Sequence, residues 1–408
     1  MTLFLKLAWR NIFRNKRRTY ITGVAIGVGL ASLIFVDALI LGFEKNMIGT
    51  ATGSFLGEGQ IHGDGFRELL SVETTIEHLD EITSRLGDEN IVEHFTVRTM
   101  SFGMISSPAN LAAVSMVGVE PATEQFLSQI DDVLIEGSYF DGDNERDLII
   151  GSKLADLLEV GLGDRVVLTT AEAHTGDLAQ EMFRVSGIYY FNVPEMDGAM
   201  AFVRLGKAQA MLGLEDQAHE IALIFTDPRY GRDKNHPFWE EYSVGGNEAV
   251  GWPVILPQVE AYFEISWFST LFTGVIIFGI VVLGIINTLF MSLHERMFEF
   301  GVIRAVGTRP TAIARLIVFE AGSLAIVSIV MGIIIALLIT WLVTKTGIDY
   351  SGIEFGGVTI RERLYPIMKS HQFVLYPILV FVFTTFIGIF PAIRAARMSP
   401  AEAMRKSF

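Results

Sequence analysis

The sequence predicts an α-helical membrane protein with four transmembrane helices and a mixed α/β extracytoplasmic domain inserted between helices one and two. Three observations carry this. The 408 residues are half apolar and only 19% charged, against about 25% charge in an average soluble domain. The apolar residues gather into four runs, at about 20–43, 268–293, 313–343 and 373–393, each long enough to reach the ~20 residues that cross a ~30 Å hydrocarbon core. The charge is segregated. Residues 44–264 hold 38 acidic and 13 basic side chains, a net of −25, and the rest of the chain holds 18 basic against 8 acidic, a net of +10.

Residues 1–19 carry Lys6, Arg10, Arg14, Lys16, Arg17 and Arg18 with no acid. Leu3, Leu5, Leu7, Ala8, Ile12 and Phe13 alternate with these bases. The pattern fits either an amphipathic helix in the inner headgroup region or an ordinary basic flank. The span at 20–43 exceeds the apolar region of a cleavable signal peptide and reads as a retained anchor. Its Gly23-x-x-x-Gly27 permits close helix approach. By the positive-inside rule the basic N-terminus, the basic segment 298–312 and the tail 394–408 are cytoplasmic, which puts 44–264 and the loop 344–372 outside.

Within 44–264, residues 75–86 and Ser152–Leu158 read as helices. Runs at 148–150, 165–169, 183–188, 199–203 and Glu220–Phe225 read as strands. Residues 227–257, rich in Pro, Gly and polar side chains, read as a loop or subdomain edge. From Pro257 the helical pattern runs unbroken to Met297, about 60 Å at 1.5 Å per residue, so residues 265–297 form a stalk and the second span. The third and fourth spans occupy 313–343 and 373–393. Ser399-Pro400-Ala401-Glu402 is a capping box with proline at the first helical position, predicting a short terminal helix.

Catalytic constellations are missing from this pattern. There is no G-x-x-x-x-G-K-[ST]; His294-Glu295 is followed by Arg296-Met297-Phe298, which breaks the zincin pattern; and no G-x-S-x-G occurs. With no cysteine, a disulfide scaffold, a thiolate zinc site and a thiol nucleophile are excluded. The expectation is a chain with no catalytic residues, no metal site and no cofactor of its own. The acidic balance of the outer domain argues against nucleic acid as a partner.

Polar residues inside apolar runs are costly and so informative. Asp37 in the outer half of the first span lines a water-filled cavity or reaches the interface, Glu320 in the third makes an interhelical or subunit contact or reaches the interface, and Asn287 lies near the inner end of the second. Phe35, Leu39, Phe43, Phe268 and Phe272, with Asp37, mark a possible substrate cavity or plain lipid contact. Between the second and third spans, Met297, Phe298, Phe300, Val302, Ile303 and Val306 alternate with Arg296, Glu299 and Arg304 in a short amphipathic helix ended by Gly307.

Four stretches resemble the permeases of MacB-type ABC transporters, the mechanotransmission family that includes LolC/LolE-like lipoprotein-release subunits and FtsX-like proteins: residues 7–18, residues 295–307, Glu320, and residues 391–405. Residues 134–140, 148–155 and 160–164 resemble the periplasmic core domain of the same family. The resemblance implies a multi-pass protein of the bacterial inner membrane, working as a homodimer or as a pair of related permeases. Each copy would dock on a separate cytoplasmic ABC ATPase, which holds ATP and Mg. It implies that Arg296, Glu299, Phe300, Gly301, Arg304 and Gly307 lie at or near the helix that meets the ATPase. It also implies that the complex extracts a lipoprotein or amphiphile from the outer leaflet; the alternatives are FtsX-like activation of a periplasmic partner and efflux through a periplasmic adaptor. The chaperone hook of LolC falls near residues 170–183, which here are short, polar and without proline, putting chaperone recruitment in doubt. The loop 344–372, with Arg361, Glu362 and Arg363, is longer than the family leads one to expect.

Overall fold

The computed structural model describes residues 2–14, 16–142, 144–350, 354–355, 358–359 and 363–397. The chain divides into two units, one built from Met1–Lys45, Phe263–Asp349 and Glu362–Phe408, the other from Asn46–Tyr262 with Tyr350–Arg361.

The first unit contains an N-terminal helix, Thr2–Arg14, and the four helices long and apolar enough to cross a membrane. These are Lys16–Ala51, Pro257–Glu295, Pro310–Thr346 and Gln372–Arg397; residues 46–51 of the first, the π-helical turn Thr52–Leu56 that continues it, and residues 257–262 of the second belong to the second unit. A connecting helix, Met297–Ala305, links the second and third spans. Gly307, at φ +97°, follows it in a conformation that favours glycine. The packed interior of this unit joins Ile26, Leu30 and Ile34 of the first span to Val281 and Ile285 of the second and Ala321 and Leu324 of the third. Gly27 and Gly332 set the approach of the first and third spans: a Cβ on Gly332 would stand 2.8 Å from the Gly27 carbonyl oxygen. Gly27 therefore serves packing within the chain. The fourth span packs on the third through Gly388, whose Cβ would meet that of Ala321 at 2.5 Å.

The second unit is mixed α/β, inserted between the first and second spans. Its strands are β1 (Gly59–Gly63), β2 (Val92–Ser106), β3 (Leu111–Val119), β4 (Leu134–Gly137), β5 (Asp147–Gly151), β6 (Arg165–Ala171), β7 (Leu178–Tyr189), β8 (Met200–Arg204), β9 (Glu220–Phe225) and β10 (Asn247–Gly251). Six of them close on themselves in the order β2-β3-β8-β5-β7-β6, because β6 pairs with both β7 and β2. The first half of β2 leaves this ring to pair with β9, which carries β1 and β10. Alternation along the ring strands sends Ile105, Val114, Met116, Leu168, Phe183 and Val185 into one core. A second core around Phe225, Phe238, Trp239 and Tyr242 fills the β1-β9-β10 lobe.

Of the two readings of 227–257, a loop or a subdomain edge, the structure shows the edge: β10 is the outer strand of this lobe. The segment holds helices Arg229–Arg232, Pro237–Tyr242 and Trp252–Ile255 as well as β10; its aromatic side chains, not its Pro and Gly, decide its fate by burial. The helix expected at 75–86 begins later, at Leu79. At 170–183 the chain forms the regular β6–β7 hairpin. The terminal helix expected at 399–402, and Arg361 and Glu362, lie outside the described residues.

One buried ion cluster ties the two lobes. Arg98 of β2, fully buried, donates from Nε and Nη2 to Glu124 at 2.9 and 2.6 Å and from Nη1 to Glu220 at 2.7 Å. Its guanidinium also lies 3.8 Å from the ring centre of Phe55, in the π-turn that ends the first long helix. Burial alone would raise the Glu220 carboxyl, but His62 and Arg98 outweigh it and hold it below the usual range.

Candidate functional site

Two sites of the membrane unit answer the sequence expectations, a polar junction and an apolar cavity. The junction is built where the N-terminal helix, the connecting helix and the third span meet. Glu320 Oε1 accepts from Arg296 Nη1 at 2.6 Å and from Asn11 Nδ2 at 2.7 Å. Arg296 Nε reaches Glu299 at 3.2 Å, and Arg14 Nη2 donates to the other Glu299 oxygen at 2.8 Å. The Arg296 and Glu320 side chains are only 11% and 12% exposed, so each ion is matched by its partner where little water reaches it. For Glu299, burial raises the carboxyl pKa, but the hydrogen bonds from Arg14 and Arg296 prevail and lower it. Asn11, Thr22, Thr288, Ser292, Arg296 and Glu320 also border a cavity of about 30 Å³, large enough and polar enough for a water molecule.

All six residues assigned to the connecting segment sit on this helix or at its ends, with different orientations. Phe300 and Gly301 are buried, Phe300 among Leu293, Ile313, Ile317 and Ala392. Arg296 faces the junction. Arg304 donates to the Ala396 carbonyl at 2.6 Å, fastening the connecting helix to the end of the fourth span. The outward side consists of Phe298, Val302, Ile303 and Val306, the last 84% exposed. The periodicity showed an amphipathic helix without showing which side packs inward.

Of the two interhelical polar candidates, Glu320 makes the contact and Asn287 does not. Asn287 is exposed, and its neighbour Thr288 accepts from Thr22 at 3.3 Å instead. One residue is 100° of helix, enough to exchange an inward for an outward position.

The cavity has a volume of about 650 Å³ and is walled by the first, second and fourth spans, with Leu33, Val36, Trp267, Leu271, Phe278 and Phe383 among its lining. Among the described residues, Asp37 is its one charged lining residue. The carboxylate accepts from Gln372 Nε2 at 2.7 Å, and His371 Nε2 stands 3.8 Å away. Of the six residues expected here only Asp37 lines the cavity. Phe268 and Phe272 are 66% and 67% exposed, and Phe35, Leu39 and Phe43 are half-buried outside the lining. The correction is again helical phase: Trp267 and Leu271 occupy the positions that Phe268 and Phe272 narrowly miss. The fourth span's share, Leu375, Tyr376, Leu379 and Phe383, carried no sequence signal beyond apolarity.

An α/β domain inserted between the first two of four spans, with a polar junction at the connection between the second and third, is the architecture of a membrane permease subunit. The chain belongs to the MacB/FtsX-like permease family: the MacB-like periplasmic core domain matches residues 19–229 and the FtsX-like permease C-terminal region matches residues 271–400. The lipoprotein-releasing system transmembrane protein LolE of Haemophilus influenzae is 22% identical across 94% of this chain and 93% of that protein. LolC of Neisseria meningitidis is 19% identical across 96% and 95%. The crystal structure of the periplasmic region of MacB from Actinobacillus actinomycetemcomitans aligns with 50% of this chain and 94% of that one, at 12% identity and a TM-score of 0.35.

Proposed function

We propose that this chain is the membrane subunit of an ABC transporter that extracts a lipoprotein or amphiphile from the outer leaflet of the bacterial inner membrane. The observation that carries the reading is the 650 Å³ apolar cavity with the Asp37–Gln372–His371 cluster at its wall. Its volume lies within the range of ligand pockets, and its lining suits an acyl chain with a polar end held at Asp37. The relatives named LolE and LolC support the same substrate class.

In this reading both termini and the connecting helix are cytoplasmic, by the charge asymmetry of the sequence. ATP and Mg are held by a separate ATPase, which docks on Phe298, Val302, Ile303 and Val306. The chain's own part is mechanical. Arg296, Glu299 and Glu320 tie the connecting helix to the N-terminal helix and the third span, and Arg304 ties it to the fourth, so a push on the outward side moves packed helices together. A second permease copy completes the complex: the second span leaves most of its surface, Asn287 included, exposed on the single chain. Purification with a co-expressed ABC ATPase subunit, followed by mass spectrometry of bound lipid or lipoprotein, tests the reading. Recovery of an acylated species supports it, and a stable periplasmic hydrolase partner with no bound amphiphile overturns it.

A further inference from the structure

A second apolar cavity, of about 590 Å³, lies within the α/β unit. It is formed where the π-turn at Thr52–Leu56 and the chain entering the second long helix, at Leu256 and Gln258, meet the outer surface of β2 and β3 and the helix Pro194–Ala199. Phe55, Met100, Met196, Met200 and Leu256 supply its apolar surface. Three methionines among its lining residues make it adaptable, since the unbranched thioether repacks around varied apolar shapes. Among the described residues Glu195 is the only charged one lining it, and it is exposed. The surrounding segment 44–264 carries a net charge of −25.

We propose that this cavity is a second binding site for one long acyl chain joined to an uncharged or cationic head. Its volume and lining suit a flexible apolar chain, and its few polar neighbours are confined to hydroxyl and amide groups beside Glu195. The carboxylate and the acidic domain disfavour an anionic head such as a free fatty acid. Thr50 and Ala51 at the end of the first long helix and Gln258 in the first turn of the second are among its lining. The inference rests on the amphiphile reading above for the origin of the acyl chain, and on the cavity itself for the site.

The test uses the full chain with its ATPase in nanodiscs and 1-palmitoylglycerol carrying a diazirine in its chain, with adducts mapped by mass spectrometry after irradiation. Adducts on Met100, Met196 or Met200 are expected, and they disappear in Ala113→Trp and in Ala199→Trp, two substitutions at exposed lining positions that fill the cavity. Excess free palmitate leaves them unchanged in the wild type and competes in Glu195→Gln. Absence of adducts in residues 46–262, or adducts that persist in both filled variants, overturns the proposal. Adducts in residues 46–262 without any in the membrane cavity count against the extraction reading alone, and adducts in the membrane cavity alone count against this site alone.

Discussion

Replacing Glu320 with leucine removes the hydrogen bonds from Arg296 and Asn11 together and leaves the Arg296 guanidinium, 11% exposed, facing an apolar side chain. Breaking one side of a buried pair costs about 3–5 kcal/mol. Arg296 keeps Glu299, which is 43% exposed and partly hydrated, so the lower end of that range applies. Arg296→Leu carries the converse cost, relieved in part because Glu320 retains Asn11. The double variant leaves neither charge stranded and loses chiefly the Asn11 and Glu299 hydrogen bonds, about 1–3 kcal/mol in all. The two single costs together therefore exceed the cost of the double by at least about 2 kcal/mol. Unfolding of the full chain in mixed micelles, followed by tryptophan fluorescence, measures each corner of the cycle. Additivity to within about 0.5 kcal/mol would mean that the junction is not a coupled unit, and the mechanical role given to it would fail.

Three further outcomes follow from other sites. Val306→Asp, at a position 84% exposed, leaves folding unchanged and abolishes ATPase stimulation by the permease; unaltered stimulation would remove the outward side of the connecting helix from the docking surface. Gly332→Val forces a side chain against the Gly27 carbonyl and Leu30 and costs about 1–3 kcal/mol by overpacking, read as a lower thermal midpoint in detergent. The third concerns acid. His219 accepts from the Met100 N–H at 2.9 Å and faces the Val72 carbonyl at 2.9 Å through its other nitrogen, and burial lowers its pKa. A histidine depressed in the folded state contributes stability that is complete above its unfolded value of about 6.5 and drains as pH falls below it. Glu220, also depressed, adds loss in the same direction at lower pH. The full chain in nanodiscs therefore melts at lower temperature as pH goes from 7.5 to 5.5, and His219→Asn flattens that slope; equal slopes would count against the assignment.

The four spans were readable because length and apolarity alone define them, and the connecting segment because its alternation and Gly307 punctuate a short helix. The α/β unit was readable in class but not in its longest strand. β2 runs from Val92 to Ser106 with Arg98 at its centre, and an arginine in the middle of a strand argues against burial until its partners are known. Those partners, Glu124 and Glu220, lie 26 and 122 residues away. The cavity residues were found by depth and missed by phase: which of Trp267 and Phe268 faces inward depends on where the fourth span packs, and nothing local records that. Asn287 and Thr288 differ for the same reason.

In the proposed mechanism, turnover by a partner ATPase empties the apolar cavity within the membrane unit. A photo-crosslinker at Leu33 or Trp267, both of which line that cavity, in the complex from native membranes measures its occupancy directly. Capture of an acylated species in the absence of ATP, and its loss on addition of ATP, is the expected result. Capture of nothing but bulk phospholipid, at a level indifferent to ATP, would contradict it.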